Sequence, residues 1–535
     1  MQFQKGMNPR SRVLLVLTAL FLLSVVVRWP LLNRPLGSHQ EWLTSTVLRT
    51  MQIWETEGAW KSYKFLPIVT YPGLANYHID NQGGVPDPLG RQYYLSYPPL
   101  AYIAPYVVLR TLGIRVDVLP LQIFSLILHY ACGLLVYLIV AMLMRHQGSR
   151  YARMCGVIAA AIYIFSPATL WFHSNIYMSD MFVQPLFILG VYLYLKIQLS
   201  KTIPVALLIT LGAVVLLMIY TEWLGAFFAF AVFLHGVYRW RTPAMRWMMV
   251  TVLVASILAV LLILLHYSQV DGLSAFLHYS KSKFLERSAL SDKLVSRLSL
   301  RSWTQVMSHY TNGFFPGTIG YIIVIALAAL ILSRFGSRES RKNQLLKPAI
   351  YVVTLPVILH HVILFNFTFH HDFSALKSAV LLAILAGVFS GFVLEELDRL
   401  KLPKWRWARV VPVFCFLGLI CWVNVTNFYD INLKGAGTGY RDSGLAIRQL
   451  AQPNEVVFVV VTDPLGPYPQ LVWYAKRNLA VWIDETAALQ LMALNNADRA
   501  IVFTMTPDIR ITKVQKFLRQ GNTLVSQMQG DERTR

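Results

Sequence analysis

The sequence predicts an α-helical polytopic membrane protein with a small α/β domain at its C-terminal end. The prediction rests on three observations. Of the 535 residues, 56% are hydrophobic and only 14% charged, with a mean hydropathy of +0.50. The apolar residues gather into runs of about 20, the length that crosses a bilayer. Beyond residue 443 the pattern changes, and short apolar strands alternate with helix-like stretches.

About eleven runs are long enough to span: near residues 13–32, 119–144, 154–171, 180–198, 203–220, 221–238, 247–266, 318–333, 348–368, 373–394 and 409–428. The first could pass for a signal peptide, but no small-residue cleavage site follows it, and it reads as a retained helix. With the N-terminus (Lys5, Arg10, Arg12) cytoplasmic, every second short loop should be basic. Each is: Arg145/Arg150/Arg153, Lys196/Lys201, Arg239/Arg241/Arg246, Arg334/Arg338/Arg341/Lys342/Lys347 and Arg399/Lys401/Lys404/Arg406/Arg409. The expectation is a multi-pass protein of the plasma (inner) membrane with its C-terminal domain outside.

This register requires that "PPLAYIAPYVVLRTLG", residues 98–113, does not cross. The run is short and contains Pro98, Pro99 and Pro105, so it reads as a helix lying at the interface. The first outer loop then covers residues 31–120, and a second, basic outer loop covers 267–317. The membrane part is 1–428, a linker is 429–443, and the outer α/β domain is 444–535. The linker's "KGAGTGY" is a hinge rather than a dinucleotide loop, because no strand precedes it. The tail shows helix-like "RDSGLAIRQLA", strand-like "EVVFVVV" and "RAIVFTM", and a last basic helix.

The formal charge of +22 does not imply nucleic acid, since the basic residues sit in short clusters between spans. Membrane lipids are the expected surroundings. Cys132, Cys155, Cys415 and Cys421 lie within apolar runs without paired spacing and read as small buried residues. No internal repeat is visible, which argues against a repeat-built transporter.

Ionisable and aromatic residues without a topological reason gather on the outer rim: His39, Glu41, Asp80, Asp87, Arg91, Tyr93, Tyr94, Tyr97, His173, Asp180, Glu222, His370, His371, Asp372 and Lys377. Glu41 heads the helical segment "EWLTSTVLRTMQIWETEG", where the dipole favours an ionised carboxylate; it fits a general base or cation ligand, and equally a helix cap. Asp180 opens a span with His173 just upstream and reads as a cap or a direct participant. Glu222 lies in the tight hairpin "YTEWLG", where an acid is costly unless paired or in a wet cavity. In "NFTFHHDFSALK", Asp372 is placed to cap the next span, and the free N–H groups with Lys377 favour a phosphate. His370 and His371 could donate protons or ligate a metal, or simply hydrogen-bond at the rim. No H-E-x-x-H motif is present, and a divalent metal ion stays open as a cofactor. His129, His360 and His361 lie within spans and read as helix–helix hydrogen bonds with no evident chain of acids.

The order of these features resembles the GT-C membrane glycosyltransferases, particularly the protein O-mannosyltransferase type and the lipid A aminoarabinose transferase. One span, an outer loop with "QEWLTSTVLRTM" and "YPPLAYIAPY", an Asp opening a later span in "YMSDMF", and His371-Asp372-Phe373 before a late span follow the family's sequence of parts. The resemblance implies a GT-C-like fold and transfer of a sugar from a polyprenyl-phosphate donor to a glycolipid, glycan or protein acceptor at the outer face. A first-loop acid would deprotonate the acceptor hydroxyl, which attacks the anomeric carbon with inversion, while basic groups steady the leaving phosphate. Glu41, Asp180 and Glu222 are then the candidate catalytic acids. His39, Arg91, Tyr94, Tyr97, His173, His370, His371, Asp372 and Lys377 are candidate substrate-binding residues. The chain departs from the family at Gln40, where the first acid of a pair usually stands, at Tyr97, usually basic, and at Glu222 or Trp223, near a usual lysine. A transporter or flippase for lipid-linked saccharides is the alternative; it would need a polar path through the midplane or paired broken helices. A scaffold whose outer domain docks a partner is a third reading.

Overall fold

A computed structural model describes residues 8–37, 39–76, 85–200, 202–290, 299–333, 344–399, 406–432, 437–461 and 468–527. Asp80, part of the basic loop at 334–343 and most of the Gly-rich linker lie outside the described residues. The chain divides into two units, one comprising Met1–Leu32, Gln122–Ile263 and Ser282–Leu433, the other Asn33–Leu121, Leu264–Lys281 and Lys434–Arg535.

Every apolar run expected to span is helical. Among the described residues seven helices are long and apolar enough to cross a membrane, and Leu300–Phe314 with Pro316–Leu332, bent by 93°, makes an eighth if taken as one span. The remaining three runs form shorter helices: Ser149–Ile164 of 16 residues, Val205–Ile219 of 15 and Trp223–Tyr238 of 16. The protein is therefore built as a multi-pass membrane protein.

Burial separates central helices from lipid-facing ones in the first unit. The apolar window of Ser179–Gln198 is 67% buried and that of Asp372–Asp398 61%, against 17% for Pro9–Leu31, whose Leu14, Leu15, Leu22 and Val26 are exposed. Exposed apolar surface of this extent is suited to hydrocarbon rather than water. Small residues let the central helices approach closely. A Cβ on Gly387 would lie 2.8 Å from the Ala159 Cβ and 2.9 Å from the Cys155 carbonyl, as in membrane interfaces built on small side chains.

The second unit joins the first loop to the C-terminal tail. The helix Trp42–Glu57 buries Leu43, Val47, Leu48, Met51 and Trp54 and packs on the helix Pro469–Ala475. Nearly all of it is covered by protein. The proline-rich run forms the helix Leu100–Thr111, whose Tyr106 meets Trp54 edge-on at 5.4 Å. The expected loop at 267–317 is helical in large part. The helix Pro243–Arg287 runs on through it, broken at Asp271 and Gly272, where a φ of +83° suits only glycine.

The tail forms a mixed sheet of β3 (Glu455–Val460), β4 (Ala480–Val481), β5 (Arg499–Met505), β6 (Ile511–Gln520) and β7 (Thr523–Gln527) in the order β4-β3-β5-β6-β7. A small hairpin in the first loop supplies β1 (Val85–Pro86) and β2 (Gln92–Tyr93). Strands β4, β3 and β5 run parallel, whereas β6 and β7 are antiparallel. The last basic segment is thus two strands and not a helix. Pairing with β5 supplies backbone partners and places Phe517 against a core of Val456, Phe458, Ala500, Val502 and Met492, a tertiary gain that overrides local helix propensity.

Asn478 fastens loop and tail. Its Oδ1 accepts from the Tyr71 amide at 2.8 Å, and its Nδ2 donates to the carbonyls of Tyr71 at 2.8 Å and Leu74 at 3.1 Å. Asn478→Ala leaves these buried groups without partners, so a loss of about 1–3 kcal/mol is expected. Thermal unfolding of the full-length protein measures it, and limited proteolysis should show cleavage near residues 71–76.

Candidate active site

Four charged or titratable side chains from distant segments of the first unit meet in one buried cluster. Asp180 is the second residue of the helix Ser179–Gln198, with Met178 at the cap position. Glu222 is the N-cap of the helix Trp223–Tyr238, and its Oε2 accepts from the Leu224 amide at 2.7 Å. Lys377 is the second residue of the helix Leu376–Arg399, and His360 lies in the last turn of Leu346–Ile363. All four are at most 1% exposed.

The Lys377 ammonium donates to Asp180 Oδ1 and lies 3.9 Å from Glu222 Oε1. His360 Nε2 is 3.0 Å from the same Glu222 oxygen. Asp180 Oδ2 and His360 Nδ1 have no hydrogen-bond partner among the described residues. Two acids, a lysine and a histidine buried together are costly to hold, which marks the cluster as the candidate site. Ligand atoms of Asp180, Glu222 and His360 lie within 4.8 Å of one another, and an Asp/Glu/His donor set fits a divalent transition metal. The Lys377 ammonium already supplies positive charge at Asp180.

The sequence marked Asp180, Glu222 and Lys377 separately. His360 was read as a helix–helix hydrogen bond without an acid; it is such a bond, but its partner is Glu222. The expected caps differ as well. Asp180 caps nothing, and Asp372 begins the short 3-10 turn Asp372–Ala375 behind His371, 3.4 Å from His309 Nε2. His371 stacks on Phe373 at 5.1 Å, and His370 is exposed.

His173 joins a different group, stacked on His129 at 5.3 Å and 3.2 Å from the Tyr163 hydroxyl. His129 Nδ1 in turn is 2.9 Å from the buried guanidinium of Arg28. Burial, with the Arg28 charge, pushes the His173 pKa down to about 3, so the ring stays neutral.

In the second unit, Glu41 directly precedes the helix Trp42–Glu57 but does not cap it with its side chain. Its Oε1 is 2.7 Å from Arg34 Nη2 and its Oε2 accepts from the Gly37 amide at 2.8 Å. The carboxylate is fully buried in this ion pair. Gly37 needs to be glycine, since a Cβ would lie 2.6 Å from the Gly437 carbonyl oxygen. Gln40 adopts a left-handed φ of 60°, and its Oε1 accepts from the Trp42 indole at 2.8 Å. Arg91 is held by Asp87 at 2.7 Å, while Tyr94 and Tyr97 are buried with ring centroids 6.5 Å apart. His39 is exposed.

The sequence matches no protein-family model and no curated protein. Solved structures show the fold alone: it is similar to that of an aminoarabinose transferase, ArnT, and of an archaeal oligosaccharyltransferase, both at low sequence identity. ArnT from Cupriavidus metallidurans bound to undecaprenyl phosphate is similar with a TM-score of 0.58 and 14% identity, over 97% of this chain and 98% of its own. The oligosaccharyltransferase AglB from Archaeoglobus fulgidus, in complex with an inhibitory peptide and a dolichol-phosphate, is similar with a TM-score of 0.55 and 12% identity, over 93% of this chain and 70% of its own. An oligosaccharyltransferase from Archaeoglobus fulgidus in complex with Zn and sulfate gives a TM-score of 0.53 at 14% identity, over 91% of this chain and 68% of its own.

Proposed function

We propose that this protein transfers a sugar from a polyprenyl-phosphate donor to a glycolipid, glycan or protein acceptor at the outer face of the membrane, with inversion at the anomeric carbon. The observation that carries the reading is the Asp180–Lys377–Glu222–His360 cluster, buried at helix ends of a GT-C fold. Similar solved structures hold dolichol-phosphate or undecaprenyl phosphate, which supports the donor class.

A carboxylate takes the proton of the acceptor hydroxyl as its oxygen attacks the anomeric carbon. The bond from that carbon to the phosphate oxygen breaks, and the polyprenyl phosphate leaves with the electron pair. Glu41 is assigned as base by its place in the first loop; Asp180 and Glu222 are the other acids available. Lys377 offers the ammonium that steadies the leaving phosphate, and a positive group aimed at developing charge in a dry site is worth most there. Asp180, Glu222 and His360 are the residues that would hold a divalent ion. Such an ion would supply Lewis-acid stabilisation of the phosphate. Arg91, His39, Tyr94, Tyr97, His173, His370, His371 and Asp372 are assigned to substrate binding.

The test is transfer in vitro from a radiolabelled polyprenyl-phosphate sugar, with acceptors identified by mass spectrometry of envelope glycolipids and glycopolymers with and without the protein. Covalent label on an acceptor is expected, and Asp180→Asn should lower the rate by roughly 10²-fold or more. Label that crosses the membrane while still attached to its carrier would favour a flippase instead.

A further inference from the structure

The second unit contains a cleft of about 450 Å³ that shares no residue with the groups assigned above, and Arg448, Lys476, Arg477, Asn478 and Glu455 stand in its wall. Two helices end there. Arg448 lies in the last turn of Gly439–Leu450, and Lys476, at a left-handed φ of 54°, caps Pro469–Ala475. Cations at helix C-termini are ordinary, and Arg477 is explained that way. Its guanidinium donates to the carbonyls of Ala451 and Gln452 at 2.9 Å and of Glu455 at 3.2 Å.

Arg448 and Lys476 stand at helix ends too, but unlike Arg477 neither side chain has a hydrogen bond or ion pair among the described residues. Glu455, the one carboxylate in the wall, is buried and already engaged, by the Gln452 amide at 2.7 Å and by Lys516 at 3.5 Å. Lys476 lies over the Trp473 ring. Burial lowers its pKa to about 7; the Asp117 charge opposes that, and the Arg448 charge adds a smaller push in the same direction as burial. Arg448 and Lys476 thus stand in the wall of one concave space whose wall carboxylate, Glu455, is engaged elsewhere. An incoming anion would pair with both. The volume is that of a small-ligand site, enough for one sugar ring with its phosphate.

We propose that this cleft binds a phosphate group, carried on a small saccharide or on a lipid headgroup, through Arg448 and Lys476. The full-length protein in phosphatidylcholine nanodiscs is titrated calorimetrically at pH 7 with glucose 6-phosphate, inorganic phosphate and glucose. Both phosphates should bind and glucose should not. In Arg448→Gln/Lys476→Gln, affinity should fall roughly tenfold or more, while Lys476→Arg keeps it and all variants keep the wild-type thermal midpoint. Discs containing phosphatidic acid separate the sources: loss of soluble-phosphate binding in them indicates a lipid phosphate, and unchanged binding a soluble one. Equal binding by wild type and the double variant, or no response to either soluble phosphate or phosphatidic acid, overturns the proposal.

Discussion

Lys377→Met is expected to destabilise the folded protein by about 3–5 kcal/mol, the usual cost of removing one partner from a buried ion pair. Glu222 keeps two partners in this variant, the Leu224 amide and His360. Asp180 does not: its Oδ1 loses the ammonium, and its Oδ2 has no partner among the described residues to compensate. The double variant Asp180→Asn/Lys377→Met removes both charges together, so thermal unfolding in detergent should recover much of the lost stability. If Lys377 steadies the leaving phosphate as proposed, sugar transfer should stay at least roughly 10²-fold below wild type in both variants. Restored folding with full transfer would show that Lys377 serves the fold alone.

Glu41→Gln should lower transfer by about 10²–10⁴-fold, the range for loss of a general base, with a much smaller effect on stability. The amide oxygen can still accept from Gly37 or Arg34, so one of the two bonds is kept. The loss of charge assistance costs about 1–2 kcal/mol. Arg34→Gln is the informative companion. It removes the ion pair and leaves the carboxylate, so a base at Glu41 predicts a far smaller fall in rate than Glu41→Gln gives. Wild-type transfer by Glu41→Gln, together with a silent Asp180→Asn, would exclude both acids and leave Glu222 as the base.

Much of the site was legible residue by residue. Asp180, Glu222 and Lys377 each stood out as charged groups that topology did not explain, since an ionisable residue at a membrane helix end is costly without a purpose. Their meeting was not legible, because it depends on which helix ends come together. His360 and Glu222 are 138 positions apart in the chain and 3.0 Å apart in space. Arg34 and Arg28 drew no attention, being basic residues at the end of a span. Only the structure gives each its place, one beside Glu41 and the other beside His129. The basic tail segment failed as a helix for the same reason, since its strand β6 exists through pairing with β5.

Composition and the length of the apolar runs were enough to establish a membrane protein with helices at every expected run, because partitioning into a bilayer is a local sum over about 20 residues. The order of motifs along the chain was enough to reach the GT-C fold. The tertiary structure alone decided that the first loop and the C-terminal tail form one unit, that Glu41 sits in a closed ion pair, and that four side chains from separate helices form one cluster. Those outcomes depend on charge pairing and packing between segments far apart in sequence. Such interactions change steeply over a few ångströms in a low-dielectric interior, and no local window of residues contains them.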